Sequence, residues 1–120
     1  MEWIKIALQV IIAITIFNVW IIRFGKPTRW RGGTSNNMEE EFEAYGLPSW
    51  FMTLIRFLKL TLAALLIVGI FMPVLIQPAA IFMGILMLGA IAMHIKVKDP
   101  MMKSFPAFSL LVLSCILIFA

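Results

Sequence analysis

Four long apolar runs separated by polar stretches set the pattern of this chain. The runs are Trp3–Arg23, Leu47–Phe71, Pro78–Val97 and Phe105–Ala120. A spanning helix needs about 20 mostly apolar residues, so the pattern predicts an all-α four-helix transmembrane bundle. We expect one integral membrane domain over residues 1–120, with spans near 3–23, 47–71, 78–97 and 105–120. The last run is short, so it either begins at Met101 or tilts little. Trp3, Trp20 and Trp50 lie near run ends, where aromatic side chains favour the headgroup layer. Pro73 and Pro78 bracket an uncharged reversal from Phe71 to Pro78, which makes the second and third spans a tight hairpin.

The stretch from Gly25 to Gly46 is the main polar region. Its first half is basic, with Lys26, Arg29 and Arg31 following Arg23; its second half is acidic, with Glu39, Glu40, Glu41 and Glu43. Between them, Gly32-Gly33-Thr34-Ser35-Asn36-Asn37 is turn-forming. Asn36 or Asn37 suits an N-cap, with glutamates complementing the helix dipole in the first turn. Met38, Phe42 and Tyr45 fall at i, i+4 and i+7, which gives one apolar stripe on a short amphipathic helix ending at Gly46. That helix either covers the bundle end or lies in the interface plane, with Glu39, Glu40, Glu43, Phe42 and Tyr45 as its candidate contact residues. The alternative is a solvated loop helix.

Composition narrows the solvent. The chain is 62% hydrophobic and 13% charged, against about 25% charged in an ordinary soluble domain. Too few polar side chains remain to cover a water-facing surface, so lipid is the expected partner. The net charge of +4 does not point to nucleic acid, because Lys and Arg collect at run ends with no aromatic-interleaved basic groove. Loops 24–46 and 98–104, with their flanks, hold Arg23, Lys26, Arg29, Arg31, Lys96, Lys98 and Lys103, whereas the opposite side holds Lys5. The positive-inside rule then puts both loops in the cytoplasm and both termini outside. The expected location is a bacterial cytoplasmic membrane. No cleavable signal peptide is expected, since the first run is too long for one. Cys115 stands alone, which excludes thiol–disulfide exchange within one chain.

Arg56 and Lys59 sit three residues apart on one helix face. If the hairpin folds about Ile76 and Gln77, Lys59 matches His94 in depth, and Arg56 matches Val97 and Lys98. A cation at mid-bilayer costs about 2.5–3.5 kcal/mol on insertion scales. Two readings stand. Either both side chains snorkel to the headgroups, or they face the bundle interior and hold an anion. That anion is a phosphate headgroup, a substrate or the Glu39–Glu43 cluster. His94 is the lone histidine, with Val97 and Lys98 at i+3 and i+4, so it completes no helical metal or haem site. It makes a helix-end hydrogen bond or serves as a proton relay or quinone contact. Asn18 lies about 7.5 Å inside Arg23 along the axis; its amide bonds a neighbouring helix or touches a ligand. The candidate ligand-binding set is therefore Arg56, Lys59, His94 and Asn18. No catalytic residue and no metal site is expected, as phosphate loop, nucleophile elbow and paired carboxylates are all missing.

Several stretches, in this order, resemble the DoxX-like family of small four-helix membrane proteins. They are Thr28-Arg29-Trp30-Arg31-Gly32-Gly33, then Met38-Glu39-Glu40-Glu41-Phe42-Glu43-Ala44-Tyr45-Gly46-Leu47-Pro48. Lys59 follows within the second span, then Met87-Leu88-Gly89-Ala90-Ile91-Ala92-Met93-His94 and onward through Ile95-Lys96-Val97-Lys98-Asp99-Pro100. The resemblance implies a four-helix transmembrane bundle. It also implies association with quinone-linked sulfur oxidation, redox-stress complexes or, in distant animal relatives, receptor assembly. Many relatives carry a glutamate where this chain has Lys59, so no acid-dependent role transfers to that position. On this basis the expected role is an accessory subunit of a membrane redox system, without catalytic activity of its own, in contact with quinone and a redox partner. A small transporter, a membrane assembly factor and a homo-oligomer are the alternatives.

Overall fold

The computed structural model describes residues 2–26, 32–33 and 35–119. Helix α1 spans Glu2–Phe17 and continues as a π-helical turn, Asn18–Ile22. The short helix α2 is Met38–Ala44, and α3 is Ser49–Val68. A 3₁₀ turn, Pro73–Leu75, leads into α4, Ile76–Lys96. A second 3₁₀ turn, Met101–Ser104, leads into α5, Phe105–Phe119. No strand occurs among the described residues. The stretches Trp3–Ile22, Ser49–Val68, Pro73–Lys96 and Met101–Phe119 are long and apolar enough to cross a membrane. The long axis of 40 Å fits a bilayer whose hydrocarbon core is about 30 Å thick. The Thr28–Arg31 part of the resemblance, with Arg29 and Arg31, lies outside the described residues, as does Thr34.

The four long helices pack in a ring, α1 on α3, α3 on α4, α4 on α5 and α5 back on α1, with α4 and α5 most closely joined. Ile12, Ile16, Leu66, Met83 and Met87 are fully enclosed, whereas Ile14, Phe57, Phe82 and Phe108 point outward. Outward apolar side chains on every long helix are what lipid contact requires. Ala80 and Gly84 give α4 a small-residue seam, and a Cβ placed on Gly84 would stand 3.7 Å from Leu111 Cδ1 on α5. Without a hydrophobic drive between helices in lipid, such close approach is a main source of association.

Two expectations about the spans need correcting. The interhelical amide bond is made by Gln9, whose Nε2 donates to Leu66 O at 2.7 Å. Asn18 makes no side-chain hydrogen bond with a described residue. The hairpin also reverses earlier than the prolines suggest. Helix α3 ends at Val68, and Pro78 sits within the first turn of α4. A first-turn proline removes only an amide that lacks an intrahelical partner anyway. Gly69 and Ile76 are the facing pair, with 3.0 Å between a Cβ on Gly69 and Ile76 Cγ1. Ten residues on from each lie Lys59 and Leu86, so Lys59 matches Leu86 in depth rather than His94. At 1.5 Å per residue His94 stands about 12 Å nearer the polar end.

Candidate functional site

The polar end is assembled from helix termini. Asn37 caps α2: its Oδ1 accepts from Glu40 N at 2.8 Å, while the Glu40 carboxylate accepts from Asn37 Nδ2 at 3.0 Å. The first bond satisfies one of the backbone amides that a helix start leaves bare, and the second braces the capping side chain. At the other end Gly46 adopts φ 78°. Leu47 N donates to Phe42 O at 2.9 Å and Gly46 N to Glu43 O at 3.0 Å, the paired bonds of a Schellman stop. So bounded, α2 turns Met38, Glu41, Phe42 and Tyr45 inward, while Glu39, Glu40 and Glu43 are exposed. Phe42 and Tyr45 thus pack against the bundle. The three glutamates expected beside them do not; Glu41, at i+3 from Met38, is the acid on the buried face.

Helix α4 ends in the same way, with Lys98 in the left-handed position at φ 58°. Asp99 N donates to His94 O and Lys98 N to Ile95 O, each at 3.0 Å. This reversal returns the Asp99 carboxylate to the helix, where its Oδ2 lies 2.8 Å from His94 Nδ1. Its Oδ1 accepts from Gly33 N at 3.0 Å, and Lys103 Nζ stands 3.9 Å away while donating to Gly33 O. Burial pushes the Asp99 carboxyl up. The hydrogen bonds from His94 and Gly33, with the charges of Lys103 and His94, outweigh that and hold it below its ordinary 3.8. An ionised Asp99 accepts only, so Nδ1 carries the His94 proton and Nε2 is the ring's other polar atom. Lys96 Nζ donates to Tyr45 O at 2.7 Å, joining the ends of α2 and α4, and the Tyr45 and His94 rings meet edge to face at 5.9 Å.

The end of α1 supplies the aromatic wall. In the π-helical turn Arg23 N reaches back to Asn18 O at 2.8 Å. Trp20 O, among the last carbonyls of the helix, accepts from Arg56 Nε at 3.1 Å, and the Arg56 guanidinium lies 4.2 Å over the Phe24 ring. Arg56 is therefore a helix-end partner, not a wall of the cavity. Lys59, one turn further along α3, is 7% exposed. Its Nζ stands 4.7 Å over the Trp20 ring, and the Glu41 carboxylate acts on it electrostatically. Among the described residues no oxygen lies within hydrogen-bond distance of Lys59 Nζ. The Glu41 carboxylate itself accepts from Tyr45 OH at 2.6 Å.

These groups surround a cavity of about 840 Å³ between the long helices and α2. Its polar lining includes Lys59, His94, Asn18, Glu41 and Tyr45, with Arg23 and Lys103 at the polar end and Thr15 on α1; Ile16, Phe42, Ile55, Leu86 and Met87 are among its apolar walls. The structure thus brings together three of the four expected ligand-binding residues, Asn18, Lys59 and His94, and adds Glu41, Trp20 and, behind His94, Asp99. A large apolar pocket with few convergent polar groups is the usual form of a small-molecule site. Among the described residues no three His, Cys, Asp or Glu side chains converge to hold a metal ion. Cys115 is exposed on the outer face of α5, away from the cavity.

Glu41 was within reach of the sequence, because it shares the helical face of Met38, Phe42 and Tyr45. Asp99 carried no such signal: its role depends on the left-handed Lys98 and on a loop sixty-six positions away. The model of the DoxX-like family covers residues 29–118, which include α2 to α4 and nearly all of α5. No curated protein and no solved structure matches the chain.

Proposed function

The chain belongs to the DoxX-like family, and from that premise we propose that it is a non-catalytic accessory subunit of a quinone-linked membrane redox system, with its cavity as the quinone site. The observation that carries this reading is Lys59, a buried ammonium facing the cavity without an oxygen partner among the described residues. A desolvated ammonium is costly unless it is paired, and a quinone carbonyl or quinol hydroxyl supplies the acceptor. His94, held by Asp99, adds a second polar contact through Nε2. The apolar and aromatic walls suit a flat ring with a hydrophobic tail. A transporter reading has less support, because Trp3–Ile22 contains no carboxylate for proton coupling.

The test is extraction in mild detergent followed by analysis of the bound fraction. We expect quinone to accompany the protein and to be lost from a His94→Ala variant. A protein free of quinone from quinone-replete membranes overturns the reading. The proposed setting is a bacterial cytoplasmic membrane, with the loops around α2 and Lys98 in the cytoplasm and both termini outside, in line with the cation count. A tag at the C-terminus that is reached only from the cytoplasm overturns that orientation.

A further inference from the structure

The cavity wall is not equally closed on all sides. On α3 the lining residues Phe51, Ile55 and Lys59 follow one another at i+4, and on α4 Ile85, Gly89 and Met93 do the same. Such spacing keeps each set on one flank of its helix. The opposite flank of α4 is sealed, since Ala80 is fully buried and Gly84 meets Leu111 and Ser114 of α5. The open flank therefore faces α3. Ile85 lines the cavity and is also 55% exposed on the outside. Gly89 lines the cavity, is exposed, and has no heavy atom within 4 Å of where a Cβ would stand. A residue that touches both the cavity and the outer surface marks a break in the wall.

The depth of that break decides what passes through it. Gly89 lies between four and five residues from the middle of the Pro73–Lys96 span, about 7 Å along the axis at 1.5 Å per residue. That is within the ~15 Å half-thickness of the hydrocarbon core. The polar end is largely covered by α2, which turns Met38, Phe42 and Tyr45 inward while Lys96 ties Tyr45 O down; the exposed lining residue there is the charged Arg23, which is no surface for an apolar body to cross. We infer that the cavity is loaded from within the bilayer, through a lateral opening between α3 and α4 at Gly89, by a lipid-phase molecule with an apolar body and an oxygen-bearing head directed at Lys59. The quinone reading above supplies one such molecule, and the inference rests on it only for the choice of first probe.

Trp20 reports on the event, since it lines the cavity under Lys59. The chain has four tryptophans, so the experiment uses full-length protein with Trp3→Phe, Trp30→Phe and Trp50→Phe, in phosphatidylcholine nanodiscs. Decylubiquinone is mixed in, and Trp20 quenching is followed in time. The parent should show saturable quenching. Gly89→Phe, which fills open space, should slow it about tenfold or more, the effect of roughly 1.4 kcal/mol on a barrier. Ala92→Phe, exposed on the outer face of the same helix, should leave the rate unchanged. Equal rates in the two variants overturn the opening. A parallel arm replaces the quinone by phosphatidylcholine brominated on its acyl chains. If the quinone fails but brominated lipid quenches Trp20 in the parent and less in Gly89→Phe, the quinone reading falls and the opening stands. If neither probe separates the parent from Gly89→Phe, the opening falls.

Discussion

Replacing Lys59 by methionine tests whether this cation is kept for binding or for the fold. The side chain is 7% exposed and makes no hydrogen bond with a described residue. Against it stands the cost of an ammonium within a spanning helix, about 2.5–3.5 kcal/mol on insertion scales. In its favour is the Trp20 ring at 4.7 Å, and a desolvated cation–π contact is worth about 2 kcal/mol. Attraction to Glu41 offsets more of the cost, although Glu41 already accepts from Tyr45 OH. The balance leaves Lys59 near neutral to costly by about 1 kcal/mol, the range in which apolar replacement of buried charges is tolerated or stabilising. Methionine keeps the length of the stem and packs well.

The expected outcome is a Lys59→Met protein as stable as the parent or up to about 1 kcal/mol more stable, with binding of decylubiquinone lost. Stability is read by reversible SDS denaturation in bicelles, and binding by Trp20 quenching on the same sample. A variant destabilised by more than about 1 kcal/mol, the scale of one ordinary net hydrogen bond, refutes the reasoning. Lys59 would then be part of the scaffold. Unchanged stability with unchanged binding refutes the other half, the role of Lys59 in the cavity.

Three further outcomes follow from the same geometry. Asp99→Asn should lower the melting temperature in detergent at neutral pH and flatten its dependence on acid. The folded carboxyl lies below 3.8, so its stabilisation is complete above that value and is lost as pH falls through the lower folded value; equal acid profiles for the two proteins count against the clamp. Gln9→Leu should cost about 0.6–2 kcal/mol in SDS denaturation, because Leu66 O lies in the last turn of α3 and Gln9 Nε2 is its interhelical donor; no loss would show that water or lipid replaces the bond. Lys98→Gly should stabilise by roughly 0.5–1 kcal/mol, since relief of the left-handed penalty exceeds the added chain entropy, and a loss there would mean that the Lys98 side chain holds the turn.

The apolar runs made the membrane bundle legible, since 20-residue periodless greasy segments have few other uses. What failed was finer. Proline in an apolar run reads as the edge of a hairpin, yet Pro78 continues α4 because first-turn amides need no partner. Asn18 and Gln9 are both amides in the same helix, and only rotation about the axis decides which one reaches α3. The acidic run Glu39–Glu41 and Glu43 hid the inward residue in the opposite way. With acids on every side of α2, the hydrophobic stripe had to be used to select Glu41, and it is Glu41 that turns inward. Asp99 was invisible because its partners come from a non-glycine left-handed turn and from Gly33.

The cations of the polar end explain why Lys59 stands apart. Arg56, Lys96 and Lys103 each donate to a backbone carbonyl, those of Trp20, Tyr45 and Gly33. Two of these carbonyls close helices, where unsatisfied oxygens and the helix dipole both favour a cation. The three side chains thereby tie α1 to α3, α2 to α4 and the Gly33 loop to the start of α5. Lys59 lies on α3 one turn from Arg56 and joins nothing of this kind. Arg56 fixes the Trp20 backbone, and Trp20 in turn offers Lys59 only the face of its ring. A ring face holds a cation without consuming its hydrogen-bond donors. The same tryptophan thus anchors one cation through its carbonyl and leaves the other facing the cavity with its donors available to an oxygen from outside the chain.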